Sequence, residues 1–175
     1  MRAAAADQGC ARTPDDNRPA PWQGARMRKL DLPPVWFLIF AVFAWALGRF
    51  DPWHLTLGPV IAGLLGAAGI GGGVILIGLA VTEMRKWRTT LDPRGTPGHL
   101  VTSGIFKRSR NPVYLGLVLL LSGVVFRLDA PLALPLVPIF LWWLERRFVI
   151  PEENLLRRHF RIAWARYEKD TRRWI

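Results

Sequence analysis

In 175 residues the chain has one cysteine, three histidines and two tyrosines, and its acidic side chains are outnumbered by basic ones, 13 to 24. A single cysteine, Cys10, excludes an intramolecular disulfide and any cysteine-rich metal site. No apolar run precedes it, so it does not close a lipoprotein or secretory signal. His54, His99 and His159 are scattered, which leaves no metal-binding set and no catalytic His–Glu pairing. No Ser-His-Asp constellation is apparent in the sequence either. The shortage of acid gives a formal net charge of +11. In a soluble protein that balance suggests nucleic acid. Here the Lys and Arg residues flank apolar blocks instead of lining one polar face, which argues against a nucleic-acid partner.

Half of the residues are hydrophobic, and they are gathered into long runs with the charges between them. That is the pattern of an integral membrane protein. Residues 1–31 are polar, alanine-rich and without apolar periodicity, and read as a disordered cytoplasmic tail. Met27 stands as an alternative start, with Arg26, Arg28 and Lys29 as the basic flank of the first span. Residues 32–175 form the remaining domain, with spans expected at about 32–47, 57–82, 113–128 and 130–144. Trp36 and Trp45 lie near the ends of the first, where indole rings favour the interface. Gly63, Gly66, Gly69 and Gly71-Gly72-Gly73 give the second span a small-residue surface suited to close helix contact in lipid. The glycine triplet is no phosphate loop, since no Lys-Ser/Thr follows it.

The last two apolar runs are short, and Pro131, Pro135 and Pro138 weaken the second as a regular helix. They read either as two short crossings or as a hairpin that does not fully traverse. A cytoplasmic amphipathic helix follows at about 151–169: Pro151 opens it, Glu152 and Glu153 occupy its first turn, and Leu156, Phe160, Ala163, Trp164 and Tyr167 form a stripe. The two outer turns hold one basic residue each, Arg49 and Arg127, while the tail, the central segment and the C-terminal segment hold nearly all the others. By the positive-inside rule the three basic regions share the cytoplasmic side, which requires an even number of crossings. The fold expectation is therefore all-α and integral to a membrane. It has about four transmembrane helices, the last two a short helical hairpin, with both termini cytoplasmic.

The stretch 99–116, H-L-V-T-S-G-I-F-K-R-S-R-N-P-V-Y-L-G, is where chemistry is expected. An extended piece ends at Gly104, a cationic cluster of Lys107, Arg108 and Arg110 follows, and Asn111-Pro112 breaks the chain before a new helix. Tyr114 places a hydroxyl at the same water–lipid boundary. Glu152 and Glu153 arrive just after the fourth apolar run, and cations beside carboxylates at such a mouth suit a charged or zwitterionic small molecule.

That stretch, followed by a short hairpin and then E-E-N-L-L-R-R-H-F-R-I-A-W-A-R-Y, resembles the isoprenylcysteine carboxyl methyltransferase and phospholipid methyltransferase superfamily. The resemblance covers about 83–175. It implies a membrane enzyme, here in a prokaryotic cytoplasmic membrane, that takes a methyl group from S-adenosyl-L-methionine without a Rossmann domain. The implied acceptor is lipophilic, entering from the lipid. The family's R-H-P-x-Y-x-G falls on Arg110, Asn111, Pro112, Val113, Tyr114, Leu115 and Gly116, and its L-V-T-x-G on Leu100 to Gly104. The implied cofactor-binding residues are His99, Leu100, Val101, Gly104, Asn111, Pro112, Tyr114, Glu152 and Glu153. Arg110, Tyr114 and Glu153 are the implied catalytic residues, and Arg110 and Arg173 the implied substrate-binding ones. A glutamate beside the ammonium or ribose and an arginine beside the carboxylate would make charge-assisted hydrogen bonds.

The departures from the family pattern are specific. Asn111 replaces a frequent His, Phe106 stands where Tyr is common, and Arg161 and Trp164 replace Gly and Tyr. Asp170 stands where the carboxyl methyltransferases have an arginine thought to hold the prenylcysteine carboxylate, with Arg172 and Arg173 as substitutes. This weighs against the eukaryotic substrate and leaves the cofactor untouched. The expected activity is methyl transfer resembling isoprenylcysteine carboxyl O-methylation. The alternatives are a phospholipid amine or small-thiol acceptor and, in another class, a non-catalytic lipid-binding scaffold. Structural roles stand beside these: Glu152 and Glu153 are ordinary helix-dipole partners, Tyr114 is an ordinary interfacial anchor, and Leu156, Phe160 and Trp164 are ordinary packing residues. Membrane lipids are the other expected partners, and the sequence carries no signal of an oligomeric state.

Overall fold

The computed structural model describes residues 32–51, 55–87 and 100–175. The expected tail at 1–31 and His99 lie outside the described residues. Among the described residues five helices follow one another: α1 (Pro33–Arg49), α2 (Pro59–Lys86), α3 (Pro112–Arg127), α4 (Leu136–Leu144) and α5 (Ile150–Asp170). No strand occurs among the described residues. The first three helices all open on a proline, where the missing N–H is one that no carbonyl awaits.

At 28 residues, α2 is the one described helix long and apolar enough to cross a membrane. With a rise of 1.5 Å per residue it reaches about 42 Å, against about 25 Å for α1 or α3. Much of the apolar surface of α1 and α2 faces outward, as Leu38, Val42, Phe43, Val60, Leu64 and Ile75 show.

α2 and α3 touch backbone to backbone. A Cβ built on Gly69 would lie 2.7 Å from the Gly123 Cα, and one on Gly123 would lie 2.5 Å from the Ile70 nitrogen. Gly73 meets Gly116 in the same way. The small-residue surface read from the sequence therefore divides: Gly66, Gly69 and Gly73 form the contact, while Gly63, Gly71 and Gly72 meet nothing within 4 Å. Gly123→Ala should force the helices apart at a cost of about 1–3 kcal/mol. Gly71→Ala should be neutral or stabilising, because alanine is the better helix former. Thermal unfolding of the two variants in detergent checks the contrast.

The main core lies between α3 and the α4 region, where Leu117, Leu121, Phe140, Leu144, Phe148 and Val149 are buried. α1 covers it through Phe40 on Phe140, with ring centroids 4.9 Å apart, and Trp36 on Trp143 at 4.6 Å. At the far end Ala44, Val125, Ala130 and Ala133 pack together, and Leu57 N–H donates to Asp129 Oδ1 at 2.7 Å.

Two features differ from the sequence expectation. First, α4 begins at Leu136, after a single 3-10 turn at Pro131–Ala133, so Pro135 and Pro138 sit before or within a first turn where proline is tolerated. Nor does Pro151 open a separate helix. α4 runs straight into α5 through a π turn at Glu145–Val149, closed by Ile150 N–H on the Glu145 carbonyl. The wider turn removes the α-type bond that Pro151 cannot make, and it resets the phase of everything after it.

Second, α5 is kinked at Arg161, whose φ of 38° and ψ of −99° are non-helical. The resemblance read from the sequence expects Gly here, which adopts positive φ without a Cβ clash. The kink breaks the expected stripe: Ala163 is exposed, whereas Trp164 and Tyr167 are turned inward and buried.

Candidate active site

The site forms where the start of α1, the end of α2, the start of α3 and α5 converge. The 100–111 segment reaches it clipped to α2. Ser103 Oγ donates to the Glu83 carboxylate, and Trp87 Nε1 donates to both, at 2.8 Å to Ser103 and 3.2 Å to Glu83. Gly104 has φ 59°, and a Cβ there would lie 2.9 Å from the Glu83 carboxyl group. Val101 is buried against Ala80 and Phe106. A short turn, Gly104–Lys107, then leads to Arg110 and Asn111.

Asn111 sits at the N-cap of α3, but its side chain does not cap the helix. Nδ2 donates to Glu153 Oε1 at 3.2 Å and to the Arg173 carbonyl at 3.4 Å. One turn on, Tyr114 Oη donates to Glu152 Oε2 at 2.8 Å, with its ring stacked on Phe148 at 6.4 Å. The π turn sets this register, delivering Glu152 and Glu153 to the mouth of α3 on consecutive residues.

The two glutamates have different surroundings. Glu153 is 3% exposed and held by cations: Arg173 Nη2 lies 2.9 Å from Oε2, and Arg110 Nη1 3.7 Å from Oε1. Arg173 also binds Glu145 at 2.6 Å. These bonds, that to Glu153 foremost, hold the Arg173 guanidinium above its ordinary pKa. Glu152 has no cation bound to it among the described residues. Burial pushes its carboxyl above the usual range, the Tyr114 hydrogen bond pulls it partly back, and the Glu153 charge adds to the rise.

Arg110 is the hub of a second network. Nη1 binds Glu168 at 3.1 Å, the guanidinium lies over the Trp164 ring at 5.9 Å, and the backbone N–H donates to the Arg172 carbonyl. Glu168 also receives Arg157 at 2.8 Å and Trp164 Nε1 at 3.1 Å. Burial raises its carboxyl pKa, but the hydrogen bonds from Arg157 and Arg110 outweigh that and hold it below the usual range. A lowered folded pKa means that this contribution to stability is present at neutral pH and is lost as acid takes the carboxyl through that pKa. Burial likewise pushes the Tyr167 phenol up, and its hydroxyl donates to the Phe106 carbonyl at 2.7 Å.

A cavity of about 340 Å³ opens beside these groups, within the size range of small-molecule sites. Leu32 to Pro34, Ile77, Met84 and Leu117 give it apolar walls, and Arg110, Asn111, Tyr114 and Glu152 supply its polar edge. Arg110 Nε is buried without a hydrogen-bond partner among the described residues, which costs free energy. Of the residues singled out in the sequence, Arg110, Asn111, Pro112, Tyr114 and Glu152 line this cavity. Glu153 and Arg173 pair beneath it, whereas Leu100, Val101 and Gly104 belong to the clipped segment. Glu145 and Glu168 were not singled out. The signal was their isolation: in 145–175 each is an acid among nine Lys and Arg residues, and such a group finds a cation. Among the described residues no cluster of His, Cys, Asp and Glu could hold a metal ion.

The phospholipid methyltransferase family model matches residues 61–163, from the first turn of α2 to just past the α5 kink. The chain belongs to this family, within the isoprenylcysteine and phospholipid methyltransferase superfamily, whose members are membrane-associated methyltransferases. No curated protein and no solved structure matches it significantly.

Proposed function

We propose that this protein transfers a methyl group from S-adenosyl-L-methionine to a lipophilic acceptor at the cytoplasmic face of a membrane. The observation that carries the reading is one apolar cavity edged by Arg110, Asn111 and the Tyr114–Glu152 pair. The donor presents a carboxylate, an ammonium and a sulfonium together with an apolar-faced base. Arg110 suits the carboxylate, the walls suit the base, and carboxylate oxygens of Glu152 favour nearby positive charge. The donor supplies an electrophilic methyl group. The chain's own residues align two reactants in line and exclude water. The outward apolar faces of α1 and α2 support a lipid surrounding, with α2 as the full crossing, α1 and α3 beside it, α3 and the short α4 forming a helical hairpin, and the Arg- and Lys-rich segments on the cytoplasmic side.

An amine or thiol acceptor is favoured over a prenylcysteine carboxylate. Asp170 occupies the position of the family's carboxylate-binding arginine, and Arg173, its nearby substitute, is bound to Glu153 and Glu145. Calorimetric binding of S-adenosylmethionine to the detergent-purified protein tests the reading. Arg110→Ala should weaken binding at least about tenfold, the loss of one charge-assisted hydrogen bond. Arg157→Ala, which loses contacts to Glu168 and Asn154 outside the cavity, should leave it unchanged. A non-catalytic scaffold predicts no binding in any of the three proteins.

A further inference from the structure

Arg110 edges the cavity with two acids within its reach. Its Nη1 lies 3.1 Å from Glu168 Oε1 and 3.7 Å from Glu153 Oε1. The backbone around it is fixed, since the Arg110 N–H donates to the Arg172 carbonyl and the Tyr167 hydroxyl donates to the Phe106 carbonyl. Only the side chain is left to choose a partner.

The two acids are not equivalent. Glu153 is 3% exposed and is already bound by Arg173 at 2.9 Å, whereas the Glu168 side chain is 33% exposed. Opposite charges attract more strongly in the interior than beside water. An Arg110 settled on Glu153 would be held by the deeper charge and drawn off the cavity edge, because Glu153 is not among the lining residues. The distances show that it settles on Glu168. That carboxylate is itself well fixed: Oε1 accepts from Arg110 at 3.1 Å and from Arg157 at 2.8 Å, and Oε2 accepts from Trp164 Nε1 at 3.1 Å. The Trp164 ring lies against the same guanidinium, 5.9 Å from centroid to Cζ, which favours a cation there. Burial raises the Glu168 carboxyl, but the hydrogen bonds from Arg157 and Arg110 outweigh it, so the group is charged at neutral pH.

We propose, resting on the methyl-transfer reading, that Glu168 is a positioning residue: it draws the Arg110 guanidinium off Glu153 and holds it at the cavity edge, where it meets the carboxylate of the donor. Glu168 does not touch the cavity and acts through Arg110 alone. Its own charge is matched from two sides, and its partial exposure keeps its hold on Arg110 weaker than that of the buried acid. The guanidinium is thus kept in place without being consumed.

Calorimetric binding of S-adenosylmethionine to the detergent-purified protein, in a double-mutant cycle of Glu168→Gln and Arg110→Ala, is the test. Binding is read well below the unfolding midpoint of each variant. Glu168→Gln keeps the length of the side chain and removes its charge. It should raise the donor Kd about fivefold, a factor worth about 1 kcal/mol. This is less than the effect of Arg110→Ala, because the cation is displaced and not removed. In the Arg110→Ala background the same substitution should change Kd less than about twofold, since no guanidinium is left to position. A residue that only stabilised the fold would weaken binding by the same factor in both backgrounds. Glu168→Asp, which keeps the charge, should stay within about twofold of wild type, less than 0.5 kcal/mol. The proposal is overturned by a Glu168→Gln protein with the wild-type Kd, by equal losses in the two backgrounds, or by a Glu168→Asp protein that loses as much as Glu168→Gln. Tighter binding by Glu168→Gln would overturn it too, by making Glu168 a competitor of the donor carboxylate. Absence of donor binding by the wild type would instead overturn the methyl-transfer reading itself.

Discussion

Arg173→Ala is expected to destabilise the protein by about 3 kcal/mol, the low end for breaking a buried ion pair. Glu153 is almost wholly enclosed, and Arg173 is its nearest cation at 2.9 Å. Removing the guanidinium leaves a carboxylate with Arg110 at 3.7 Å and the Asn111 amide as its remaining partners, and it also releases Glu145. Those remaining partners are why the low end applies. The double variant Arg173→Met with Glu153→Gln should recover much of the loss, because neither charge is then stranded. Thermal unfolding of the three proteins in the same detergent, at neutral pH, measures it. Equal destabilisation by the single and the double variant would mean that Arg173 acts through packing alone.

Trp164→Ala should cost about 3–5 kcal/mol, the range for emptying a buried aromatic site. Trp164 is 1% exposed, packs edge-on to Tyr167, covers the Arg110 guanidinium and donates to Glu168. Trp164→Phe separates these roles. It keeps an aromatic face over Arg110 and loses the indole donor, so it should cost about 1–2 kcal/mol, a hydrogen bond to a charged group plus a small void. Donor affinity should fall in the alanine variant and hold in the phenylalanine one, since the cation keeps its cover. Unfolding midpoints and calorimetric binding check the pair.

Much of this site was readable because its signals are local. Asn111-Pro112 marks a helix entrance by the sterics of two residues, and Glu152-Glu153 stands out as acid against a basic background. Both predictions need only near neighbours, and the structure puts Arg110, Tyr114 and Glu152 on one cavity. What escaped depends on rotation accumulated along a helix. A π turn at Glu145–Val149 shifts the phase of the following residues, so a stripe counted from Pro151 has no fixed direction. The Arg161 kink shifts it again, which is how Ala163 came to face outward while Trp164 turned in. The same limit applies to the glycines of α2. Their number announces a close contact, but which of them meet α3 is settled by about 100° per residue and by where the partner helix ends.

The order in which ribosomes make this chain adds a constraint. The Arg110 backbone, the Ser109 hydroxyl and the Asn111 amide are tied down by carbonyls of Arg172 and Arg173. Glu153 waits for the Arg173 guanidinium as well. A growing polypeptide can therefore form its first helices while the 109–111 corner still waits for its C-terminal partners. Until residue 173 has been added, Glu153 lacks its nearest cation and has Arg110 and the Asn111 amide as its partners.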